Sequence, residues 1–81
     1  MKFPTIKEKQ IALLIAEKKT GIVLNNNLDI YREDENNGPV YKVFENLSMV
    51  DDYIKILKAN RDDLEFVLYD YKQTVVKYIC E

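Results

Sequence analysis

Apolar positions along this chain cluster, and the spacing inside each cluster predicts its local structure. Ile6, Ile11, Leu14 and Ile15, with Leu13 at the margin, form a broad helical stripe interrupted only by Gln10. Pro4 and Thr5 suit a helix start, Glu8 stands three residues after Thr5 in capping-box spacing, and Gly21 suits a stop. A first helix is therefore expected from about Thr5 to Lys19, with Lys18 and Lys19 near its negative end. Gly21 to Leu24 predicts a short strand, and Asn25-Asn26-Asn27 a turn.

From Leu28 the pattern reads as a hairpin: Leu28–Glu33, a tip at Glu35-Asn36-Asn37-Gly38, and Val40–Glu45. Pro39 opens the second strand, where its missing N–H is tolerated. A four-residue loop sets Ile30 against Val43 and Arg32 against Tyr41. A two-residue loop sets Tyr31 against Phe44 and Glu33 against Lys42. Both registers stay open. Ser48, with Asp51 and Asp52 following, predicts a second helix to about Asn60, its apolar stripe at Val50, Tyr53, Ile54 and Leu57.

Arg61-Asp62-Asp63 turns the chain into a final hairpin, Leu64–Tyr69 and Thr74–Cys80 around Asp70 to Gln73. With Val67 opposite Val76, one face carries Val67, Tyr69, Val76 and Tyr78. The other carries Leu64, Phe66, Leu68, Val75 and Ile79. The resulting fold class is α+β: two helices on one face of a mainly antiparallel sheet of about four strands, in the order α-β-β-α-β-β. Two short helices cover one face of such a sheet, so either these strands are central with their tyrosines partly wet, or the second apolar face meets a partner.

Composition narrows what that partner surface serves. The 81 residues suffice for one domain, and a hydrophobic fraction of 47% suits a folded chain rather than a disordered one. Cys80 is the only cysteine, so no intrachain disulfide forms. No signal-peptide pattern precedes the domain, and the longest apolar run, Ile11 to Ala16, is far too short to span a bilayer. A cytoplasmic protein is expected. Abundant Lys, Asn, Ile and Tyr suit a low-GC bacterium, its phages or its plasmids. In size, tyrosine content and acidic balance the chain resembles small single-domain proteins of phages and mobile elements, a likeness that covers no motif.

Several chemistries drop out. Without histidine, the usual general base and the imidazole ligands of transition metals are missing. Two glycines make neither phosphate-cradling motif. Glu33, Asp34, Glu35 and Asn37 before Gly38 suggest a calcium loop, but counting from Glu33 puts Phe44 where the bidentate glutamate belongs. Asp62, Asp63 and Glu65 would have to meet Asp70 to form a catalytic carboxylate pair, and nothing in the pattern obliges them to. Neither enzyme, cofactor nor metal is expected.

Two binding readings remain. The first is a non-enzymatic protein-interaction module, a small adaptor, regulator or inhibitor that meets a protein partner or a second copy of itself through Val67, Tyr69, Val76 and Tyr78 or through the hairpin tips; tyrosines are enriched in binding hot spots. The second is nucleic-acid binding through Lys7, Lys9, Lys18 and Lys19 on the first helix. The first twenty residues hold five lysines against two glutamates, a net +3 that leaves −5 for the rest of a chain totalling −2. Acidic residues flanking the strands count against it.

Overall fold

A computed structural model describes residues 3–32 and 39–80 of the chain. Its first regular element is a strand, β1 (Ile11–Glu17), followed by β2 (Val23–Leu24), β3 (Tyr41–Phe44), helix α1 (Leu47–Asn60), β4 (Leu64–Tyr69) and β5 (Val75–Cys80). Among the described residues, one helix and five strands in a single antiparallel sheet replace the expected two helices and about four strands. The fold is mostly sheet.

The helix expected over Thr5 to Lys19 is absent because its apolar run is buried from both sides. Ile11, Leu13 and Ile15 enter the core under α1, while Ala12 and Ala16 are also buried on the opposite face. A continuous apolar run with both faces covered is the pattern of a central strand. β1 holds that position, pairing along its length with β4 and, on its other flank, with β3 at its first half and β2 at its second. Gly21, expected to stop a helix, instead closes the β1–β2 hairpin at φ 72°, its N–H donating to the Glu17 carbonyl at 2.8 Å.

The expected pairing of Leu28–Glu33 with Val40–Glu45 is also replaced. β3 pairs with β1, with Ala12 opposite Val43 and Leu14 opposite Tyr41, while Ile30 bridges back to Leu24. The chain is steered there by Asn25, which is 2% exposed. Its Oδ1 accepts the Asn27 N–H at 2.9 Å and the Asp29 N–H at 3.1 Å, and Leu28 takes a left-handed φ of 66°. The proposed tip, residues 35–38, lies outside the described residues.

An equivalent turn recurs between β4 and β5. Asp70 Oδ1 accepts the N–H groups of Lys72 (2.9 Å) and Thr74 (3.0 Å), and Gln73 sits at φ 62°. In both turns the first residue's N–H donates to the carbonyl four residues on, and the fourth residue's N–H donates back to the first carbonyl. An Asn or Asp side chain thus organises a three-residue loop whose last member is left-handed.

Helix α1 begins one residue before Ser48, the expected start. Asn46 is the cap, its Oδ1 accepting the Met49 N–H at 3.0 Å. Asp51 and Asp52 consequently fall beyond the first turn. Val50 and Ile54 are buried and Tyr53 and Leu57 pack against the core, which also holds Leu64, Phe66 and Leu68 of β4. The molecule measures 30 × 30 × 17 Å, the thin dimension holding one helix layer and one sheet layer.

Candidate functional site

The exposed large apolar residues of the strands lie on β5, apart from Val43 of β3. β5 lies at the edge of the order β2-β1-β4-β5, with β4 its only neighbour among the described residues. Val75, Val76 and Tyr78 are 52%, 47% and 55% exposed, whereas β4 alternates buried and half-buried. A solvent-facing edge strand ordinarily carries charges that discourage pairing. Here the only charged residue among Val75–Cys80 is Lys77, which faces the helix side and lies 3.9 Å from Asp51.

Register places the four residues singled out from sequence. Val67 is opposite Tyr78, not Val76, and an irregularity after Leu68 sets Tyr69 opposite Val75. Val67, Tyr69, Val76 and Tyr78 all project away from α1, since their neighbours Phe66, Leu68 and Lys77 face it. Val75 was expected on the helix side. The extra residue in the bulge turns both Val75 and Val76 to the open side.

The open face is not uniformly bare. Phe3 folds across its middle, with its ring 5.0 Å from Tyr41 and 5.7 Å from Tyr69, and those two tyrosines lie 5.9 Å apart, all edge-on. Tyr69 is therefore half covered and belongs to this aromatic trio, while Val76 and Tyr78 stay open at the edge. Phe3 escapes sequence analysis, because nothing in its own neighbourhood marks a residue that packs on Tyr41 and Tyr69, both far along the chain.

Tyr78 is held in place. Its hydroxyl donates to Glu65 Oε2 at 2.6 Å, and that bond, with a lesser contribution from Cys80, pushes the phenol well above the ordinary tyrosine value. Tyr41 is also raised, first by burial and then by Tyr69. Cys80 is an exposed free thiol.

On the helix side, α1 leaves β5 partly uncovered. A shallow groove of about 290 Å³ runs between them, lined by Asp51, Ile54, Lys55, Lys58, Lys77 and Ile79. Its neighbour, about 120 Å³, is floored by Leu64, Phe66 and Ile79. Both are small and open to water, smaller than the usual enclosed site for an organic ligand.

The lysines proposed for nucleic acid are not brought together. Lys7 and Lys9 precede β1 and Lys18 and Lys19 follow it, so the seven-residue strand separates the pairs by about 20 Å. The acidic residues behave similarly. Asp63 accepts from Arg61 Nε (3.0 Å) and Nη2 (2.7 Å), which lowers its carboxyl pKa, while Asp70 is tied into its turn at the far end of β4. No cluster of three or more potential metal ligands occurs among the described residues, and the suggested calcium loop at residues 33–38 lies outside them. No described helix is long and apolar enough to cross a membrane. No family model, curated protein or solved structure matches this chain.

Proposed function

We propose that this protein is a non-enzymatic interaction module, an adaptor, regulator or inhibitor, that engages another polypeptide through the outer edge of β5 in the cytoplasm. A single observation carries the reading: the edge strand has three of its six residues apolar or aromatic and about half exposed, with its only charge turned to the helix side. Such an edge offers main-chain donors and acceptors for an added strand and side chains that alternate in direction to select it. Tyr78 supplies a large, pre-oriented contact, since its hydroxyl is already fixed on Glu65. The lone free cysteine suits a reducing compartment.

The test is affinity purification from the cells that make the protein, comparing wild type with Tyr78→Lys and Lys19→Glu. The reading expects polypeptides that bind wild type and Lys19→Glu and are lost with Tyr78→Lys. Partners indifferent to the edge substitution would refute it.

A further inference from the structure

We infer that the segment docking on β5 is an extended acidic stretch of another protein, whose carboxylates enter the groove between α1 and β5. This rests on the reading of β5 as a docking edge and names the chemistry of its occupant. The charge of the groove is the first reason. Its walls carry Lys55 and Lys58 from α1 and Lys77 from β5 against one carboxylate, Asp51, on a chain whose net charge is −2. Lys55 and Lys58 stand three residues apart and so share one side of the helix. The smaller hollow beside the groove shares Lys58 and Ile79 with it and adds Arg61, which extends the cationic lining past the end of α1. Asp51 does not close the groove to a second anion. It lies 3.9 Å from Lys77 with both side chains well exposed, a water-screened pair that an incoming carboxylate can join.

The two sides of β5 give the second reason. Over Val76–Cys80, Lys77 and Ile79 face the helix, whereas Val76 and Tyr78 face the open side. A strand hydrogen-bonded along β5 presents its own side chains in the same alternation. Every second residue then falls beside Lys77 at the groove, where opposite charge is favourable, and the others meet Val76 and Tyr78, where apolar side chains fit. Beneath the lysines the floor is apolar, with Ile54 and Phe66 buried and Ile79 half-buried. Such a site suits glutamate, whose methylenes pack while its carboxylate reaches an ammonium. A nucleic-acid backbone fits less well. Its charge repeats at every nucleotide and would also meet Asp51 and Asp62, and the one aromatic ring lining either hollow, Phe66, is fully buried and offers no face for a base.

Fluorescence anisotropy with a labelled peptide of alternating glutamate and valine, about eight residues long to span an ordinary strand, tests this against the peptide with lysine in place of glutamate. The acidic peptide should bind saturably below about 1 mM, and its lysine counterpart should not. Its affinity should fall as salt rises from about 0.05 to about 0.5 M. Lys55 is exposed, so Lys55→Glu should keep wild-type circular dichroism while weakening binding about fivefold, the scale of reversing one exposed charge pair. Should that variant unfold, Lys55→Gln takes its place, with a loss of about twofold. Lys19→Glu makes the same change in net charge outside the groove and should leave binding unaltered. In a heteronuclear magnetic-resonance titration the amide shifts should centre on Lys77 and Ile79. The inference is overturned by an acidic peptide that does not bind, by equal binding of the lysine peptide, or by equal losses in Lys55→Glu and Lys19→Glu. A short oligothymidylate that binds more tightly and displaces the peptide overturns it in favour of nucleic acid. Partners lost in the purification with Tyr78→Lys but kept by Lys55→Glu would leave the docking edge standing with an occupant of other chemistry, whereas partners that ignore Tyr78→Lys remove both readings.

Discussion

The two equivalent turns let one backbone effect be measured with opposite outcomes. Gln73 and Leu28 occupy the same position in their loops, at φ 62° and 66°. Holding an L-residue left-handed costs about 1–2 kcal/mol, and glycine removes that strain while costing about 0.5–1 kcal/mol in additional backbone entropy. Gln73 is exposed, so Gln73→Gly forfeits little else and should gain about 0.5–1 kcal/mol. In a chain of 81 residues that is a rise in Tm of roughly 2–6 °C. Leu28 is half-buried and packs against the core. Leu28→Gly relieves the same strain but surrenders about half of a leucine's burial, ~1–1.5 kcal/mol, before any cavity penalty. It should therefore lower Tm. Thermal melts followed by far-ultraviolet circular dichroism, checked by urea denaturation at constant m, read both signs. Were Gln73→Gly neutral or destabilising, the left-handed strain assigned to that position would be wrong. If Leu28→Gly stabilised, the packing assigned to Leu28 would be wrong instead.

Three further outcomes are expected. Asn25→Ala removes a buried side-chain acceptor for two backbone N–H groups of the turn and should cost about 1–3 kcal/mol, with faster hydrogen exchange at Asn27 and Asp29. Tyr78 should ionise above the usual tyrosine range in a spectrophotometric titration and return toward it in Glu65→Gln, since Glu65 is the main cause of its elevation. Because its folded pKa is raised, its contribution to stability is complete below pH ~10 and declines as pH rises through the folded value. Asp63 has the opposite sign: with its folded pKa lowered by Arg61, its contribution is present above about pH 4 and is lost as pH falls through the lowered value, so Asp63→Asn should flatten acid-induced loss of stability in that window.

The second half of the chain was more legible than the first, for a physical reason. Val50, Tyr53, Ile54 and Leu57 need only their own spacing to mark a helix, and the hairpin of β4 and β5 needs only its alternation and the Asp70 turn. Ile11 to Ala16 carries no such self-contained signal. Six successive apolar or small residues satisfy a helix and a strand buried on both faces equally, and Pro4, Thr5 and Gly21 tilt the local reading toward the helix. What decides is β4, more than forty residues away, which supplies the partner backbone. The face carrying Val67, Tyr69, Val76 and Tyr78 could be read because parity survives a register error of two residues. The side of Val75 could not, since a bulge depends on the fit between two strands rather than on either alone.

Placing the earliest strand at the centre of the sheet has a cost during synthesis. Ile11 to Glu17 leaves the ribosome well before residues 64–69, its longest neighbour, so its greasiest stretch must wait for most of the chain to be made. Closing that long loop precedes any reward from the pairing, which favours slow folding and a nascent chain in need of shielding.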